Sequence, residues 1–148
     1  MRFAARVVPM VIGLVAVCCG GKSPTAPSAT TLAGTWKASR AEFVNASNSS
    51  VRVEAVSQGY TIVLTLAASG TFTQAVTEPG QAARTTTGTW TASKDVLTLK
   101  TTGQSGETQF DMTLNGNTLT LNGGHVLFDV NNDDVDEESI LNLIMARQ

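Results

Sequence analysis

Gly88-Thr89-Trp90-Thr91-Ala92-Ser93-Lys94-Asp95-Val96-Leu97-Thr98-Leu99 reads as a strand, a tight turn and a second strand. Threonine, valine and aromatic side chains favour a pleated, half-buried surface, and Ser-Lys-Asp supplies the polar reversal between the two runs. The opening of this stretch nearly repeats an earlier one, Gly34-Thr35-Trp36-Lys37-Ala38-Ser39, and both tryptophans of the chain lie in these two Gly-Thr-Trp units. The chain beyond residue 31 reads as short strands arranged around the two indoles.

Working outward, the clearest strand is Tyr60 to Leu66, where Tyr60, Ile62, Leu64 and Leu66 share one face at period two. Ser69-Gly70 turns the chain into Thr71 to Thr77, with Phe72 and Val76 on one side, and Glu78-Pro79-Gly80 turns it again. The first Gly-Thr-Trp opens a strand over Thr35 to Asn45, followed by loop chemistry in Asn45 to Ser50 and a short strand or lid in Val51 to Val56. Thr108 to Leu114 alternates with Phe110, Met112 and Leu114 on one face. Asn115-Gly116-Asn117 makes a hairpin into Thr118 to Leu121, and Asn122-Gly123-Gly124 leads into a separate strand over His125 to Val130. Short strands spaced by turns predict an all-β fold, an antiparallel barrel or sandwich. The tail supports two readings. Acids at 136–138 ahead of Ile140, Leu141, Leu143 and Ile144 fit a helix, while Leu141, Leu143, Met145 and Arg147 share a face in a strand. The strand is favoured, because a barrel needs a last strand to cover the open edge of its first.

The chain has 148 residues, 5% aromatic and 15% charged, with a formal charge of −2, and its basic residues are scattered singly. That length holds one domain and a leader. The missing basic stripe argues against a nucleic-acid partner.

The leader opens with Arg2 and Arg6, then an apolar run from Val7 to Val17 that is shorter than a bilayer span and fits the h-region of a secretory signal. It stops at Cys18-Cys19-Gly20-Gly21, which resembles a bacterial lipoprotein signal. In that class the cysteine becomes the first mature residue and carries acyl chains. Cys19, preceded by the small Cys18, is the favoured lipidation site over Cys18, preceded by the bulky Val17; an ordinary signal cleaved later is the alternative. On this reading residues 1–18 are signal peptide, 19–31 are the lipidated cysteine with a flexible Pro/Ser/Thr tether, and 32–148 are the domain. No disulfide can then form in the mature chain. Several acyl chains at about 0.8 kcal/mol per buried CH₂ anchor it to a membrane. Gly20, where an Asp would retain the protein at the inner membrane, implies by the same resemblance the outer membrane.

Residues 32–148 resemble the small bacterial lipocalin-like lipoprotein domains, within the calycin set. The resemblance rests on Leu32-Ala33-Gly34-Thr35-Trp36 after a Pro-rich tether, on Tyr60 to Leu66 with Ser69-Gly70-Thr71-Phe72, and on Gly88-Thr89-Trp90 with Leu97-Thr98-Leu99. An acidic loop before an apolar strand finishing Met145-Ala146-Arg147-Gln148 completes it. It implies a single up-and-down barrel of about eight to ten short strands. It further implies that Arg147 on the last strand packs over Trp36 on the first, a cation–π contact that closes the barrel. The domain is shorter than the larger ligand-carrying lipocalins.

Three constellations bear on function. His125 is the single histidine, and no nucleophile elbow or paired catalytic carboxylates can be placed around it, so no enzyme is expected. Asp129, Asn131 and Asp133 match the first three ligand positions of a Ca²⁺ loop, but Asp134 stands where the loop needs Gly and Ile140 where it needs Glu. A weak Ca²⁺ site and a solvated acidic turn both fit; no other cofactor is implied. The inward residues Trp36, Ile62, Leu64, Phe72, Trp90, Phe110 and Met112 either line a cavity for a small apolar ligand or fill the barrel, as side chains do in small barrels. The first reading makes the protein a membrane-anchored binding module, the second a structural or interaction module of the cell envelope acting through its loops.

Overall fold

A computed structural model describes residues 27–148. The leader, Cys18, Cys19 and most of the tether lie outside the described residues. After a helical turn, α1 (Ala29–Leu32), come nine strands: β1 (Gly34–Asn45), β2 (Arg52–Glu54), β3 (Thr61–Leu66), β4 (Thr71–Thr77), β5 (Arg84–Ser93), β6 (Val96–Thr101), β7 (Thr108–Asn115), β8 (Thr118–Phe128) and β9 (Glu137–Arg147). A single 3₁₀ turn, Val56–Gln58, follows β2. All neighbours pair antiparallel in the order β2-β1-β3-β4-β5-β6-β7-β8-β9, and β1 also pairs β9. The fold is all-β: a closed eight-stranded antiparallel barrel with β2 as one extra strand. The tail is a strand, as a barrel with an open edge requires.

β1 organises the closure. Residues 36–45 pair β9, while the other edge is shared between β3 (residues 34–37) and β2 (residues 42–44). In β1 the buried positions are Trp36 and Ala38, then Ala41 and Phe43. The inward phase thus slips by one residue, and a β-bulge between Ala38 and Arg40 in the pairing with β9 accounts for it. Where β1 leaves β3 and has not yet met β2, the Ala41 N–H donates to the Glu54 carboxylate (2.8 Å). Glu54 also accepts from the Ser57 N–H (2.6 Å), which fixes the turn after β2. Burial of Glu54 opposes its ionisation, and the N–H donors of Ala41 and Ser57 outweigh it, holding the carboxyl below its ordinary value.

Two expectations change. Asn122-Gly123-Gly124 is no turn between strands but a bulge inside the continuous β8, where the register against β9 shifts between Leu121 and Gly124. Gly123 takes a positive φ of 80° and its N–H donates to Asn142 Oδ1 (3.0 Å), so turn chemistry here bends a strand without ending it. Residues 29–31 are not extended tether. Ser28 caps a helical turn by accepting from the Thr31 N–H, and the turn sets Leu32 fully buried under the barrel.

The core is the barrel interior. It holds the alternate residues of every barrel strand, and no buried side-chain polar atom among the described residues lacks a partner. Among the described residues, the hydrogen bonds that close the barrel join residues from Ser28 onward. Among the described residues no helix is long and apolar enough to cross a membrane.

Candidate functional site

The strands run between two unlike ends. At the floor, where β1 begins and β9 finishes, the Trp36 indole is fully buried and its N–H donates to the Leu32 carbonyl (2.9 Å). The Arg147 guanidinium lies over that indole at 4.2 Å and donates to the Ala33 carbonyl (2.7 Å) and to Thr31 O. The second indole is at the same end: Trp90 N–H donates to the Ala67 carbonyl of the β3–β4 turn (2.9 Å). The glycines of the two Gly-Thr-Trp units answer to this packing. A Cβ on Gly34 would meet the Arg147 guanidinium, and one on Gly88 would meet the Lys100 carbonyl and the Phe72 ring. The repeat is therefore a device for seating two indoles at the floor.

All seven predicted interior residues are buried. Ile62, Leu64, Phe72 and Phe110 line a central cavity of about 50 Å³, together with Leu121, Leu143 and Met145. Trp36, Trp90 and Met112 do not line it. The two indoles plug the floor instead, because alternation along a strand fixes the face of a residue but not its height in the barrel. A cavity of this size holds only a few water-sized atoms.

Above it the barrel widens into a mouth of about 640 Å³. Ile62, Gln74, Val126 and Leu141 border both spaces, so the cavity is the bottom of the mouth. One wall is aromatic: the Phe43 and Phe128 rings stack with centroids 3.8 Å apart and 14° between planes, and Tyr60 meets Phe128 edge-on at 6.1 Å. The rim carries Glu78, Arg84, Asp129, Asp134 and Asp136. Burial, followed by the charges of Glu78 and Asp129, pushes the Tyr60 phenol above its ordinary value. A side opening adjoins the mouth. β7 stays with β8 only over residues 111–115, so β8 beyond Gly124 leaves a slit lined by Thr108, Val126 and Leu127. His125 stands at this slit, exposed and bonded to Glu138 through Nδ1 (2.9 Å).

The acidic loop joins β8 to β9 at the rim. Asp129 accepts the backbone N–H groups of Asn132, Asp133 and Asp134. Burial of the Asp129 carboxyl acts against its charge, but these N–H donors prevail and lower its pKa. Of the three candidate Ca²⁺ ligands, Asp129 and Asp133 converge. Asn131 departs from the expectation: its Nδ2 donates to Asp133 Oδ2 (3.0 Å) and Glu137 Oε1 (2.8 Å), so it turns a donor, not a ligand oxygen, toward the acids. Glu137 takes the third place, with carboxylate oxygens of Asp129, Asp133 and Glu137 within 4.8 Å of one another. Its position follows from the Phe128–Glu137 pair at the base of the β8–β9 hairpin, a long-range register. The loop closes through its own amides.

The model of the lipocalin-like domain matches residues 32–121. This chain belongs to the lipocalin-like domain family. No curated protein and no solved structure matches it. The family match spans both Gly-Thr-Trp units, and the lipocalin-like domain continues past it. The second half of β8, the acidic loop and β9 with Arg147 lie beyond residue 121, yet they complete the barrel and much of its rim.

Proposed function

We propose that this protein is a non-catalytic, membrane-anchored binding protein that holds a small apolar molecule in the barrel mouth. The observation that carries the reading is the mouth of about 640 Å³ over a packed floor, with one aromatic wall. Its volume falls in the range of ligand pockets, roughly 300–1,000 Å³, and its lining is divided between apolar or aromatic residues at the wall and polar or charged residues toward the rim. Affinity would come from burying apolar surface at about 25 cal/mol per Å², against the cost of immobilising the ligand. Acylation at Cys19 and a tether ahead of the domain would place the protein at the outer membrane, in line with the apolar run that ends at Cys18-Cys19.

A second reading has its own support. The central cavity of about 50 Å³ means that below the mouth the barrel is filled, as in a structural or interaction module working through its loops. Titrating the chain from Ser23 with a neutral solvatochromic dye separates the two. The dye's own emission is the readout, because both indoles sit at the far end of the barrel. Saturable binding at one dye per chain, abolished by Val76→Trp at the mouth, supports the binding protein. Absence of saturable binding at micromolar concentrations sinks it and leaves the loops as the working surface.

A further inference from the structure

The rim of the mouth is electrically one-sided. Four carboxylates line it, Glu78, Asp129, Asp134 and Asp136, against the single guanidinium of Arg84. Arg84 Nη1 lies 3.7 Å from Glu78 Oε1 and its side chain is 81% exposed, so its charge is shared with Glu78 and screened by water. Asp129, Asp134 and Asp136 make no ion pair with a basic side chain of the described residues. Asp129 is held ionised by the loop amides. The mouth therefore carries a standing negative potential.

The aromatic wall adds to this field. A ring face is the negative side of its quadrupole, so the half-buried Phe128 and Tyr60 rings would attract a cation brought against a face not covered by the stack on Phe43. A carboxylate headgroup would meet only Arg84, already shared, among four like charges. Depth limits size: the space below the mouth is about 50 Å³, too small for a long acyl chain to thread the barrel. The apolar body must be compact and sit in the mouth itself.

We propose that the mouth selects a compact apolar cation, a ring-sized hydrophobic body bearing a basic amine, over neutral or anionic molecules of the same shape. The proposal rests on the reading of the mouth as the ligand site. Matched probes test it: 1-naphthylmethylamine, 1-naphthylmethanol and 1-naphthoic acid, titrated calorimetrically into the chain from Ser23 at pH 7 and low salt. The amine is expected to bind about tenfold tighter than the alcohol, with the acid weakest, and its advantage is expected to shrink as salt rises. Asp134→Asn with Asp136→Asn, both exposed and so without cost to the barrel, should cut the preference for the amine over the alcohol by about threefold or more. Equal binding of all three probes, or an acid that binds as tightly as the amine, overturns the charge selection while the mouth stands as a binding site. Failure of all three and of the neutral dye overturns the binding reading itself, and the selection with it.

Discussion

The two ends of this barrel are built from the same kinds of residue to opposite effect. Each has aromatic rings, charged side chains and backbone from a connecting segment. At the floor the ring and guanidinium donors are paired: the two indole N–H groups reach carbonyls, and Arg147 spans Trp36 and the carbonyls of residues 31 and 33. At the mouth Tyr60 and Phe128 are half-buried over a buried Phe43, and the carboxylates of Asp134 and Asp136 face the opening. The difference teaches that closure and recognition are separated along the barrel axis. Substitutions at the floor should register as stability, and substitutions at the mouth as binding.

The largest expected effect tests that separation directly. Trp36→Ala removes a fully buried indole and strips Arg147 of its stacking partner, an expected loss of about 3–5 kcal/mol in urea unfolding. Phe128→Ala at the mouth leaves Phe43 without its stacked ring but exposes no sealed cavity, so about 1–2 kcal/mol is expected, with binding of the neutral dye lost. If the two variants cost the same, the floor is not the stabilising end.

Much of this layout was legible in the sequence, and the failures share a cause. Period two in Ile62, Leu64 and Leu66 assigned the inward face of β3 correctly, because a pleated strand leaves no other choice. The pairing of Trp36 with Arg147 came from the family resemblance, not from spacing, since the residues are joined only by closure of the whole barrel. Height along the axis was not legible. Trp36 and Phe43 face the same interior from one strand, yet one is floor and the other is mouth. Nothing local distinguishes them; the register against β9 does. Asn122-Gly123-Gly124 parts two strands in the sequence reading because glycine at positive φ serves bulges and chain reversals alike, and only the pairing with β9 that resumes at Gly124 shows one strand running through. Glu137 was missed as a neighbour of Asp129 for the same reason.

The middle of the barrel is where the two ends should trade places. Leu64 borders the cavity of about 50 Å³, so Leu64→Trp has too little room and is expected to cost about 1–3 kcal/mol by overpacking. Val76 is half-buried at the mouth, where a tryptophan has space, so Val76→Trp should change unfolding little and block the dye. A stable Leu64→Trp with dye binding abolished would move the ligand site down into the barrel and redraw the boundary between the ends.

The smallest effect is the one that asks whether the ends are independent. Asp129 has a lowered pKa in the folded loop, so its contribution to stability is present above the ordinary value of 3.8 and is lost as pH falls through the lowered folded value. The Trp36–Arg147 contact contains no carboxylate, and a guanidinium does not titrate in that range. In amide NMR spectra recorded from pH 6 downward, the N–H signals of Asn132, Asp133 and Asp134 should therefore shift with a midpoint below the ordinary 3.8, while the Trp36 indole N–H stays in place. Asp129→Asn should remove the loop titration and leave the indole where it was. Movement of the indole signal in step with the loop amides would mean that protonating the rim is felt across the whole barrel, and the floor would then be part of the recognition end and not its fixed counterpart.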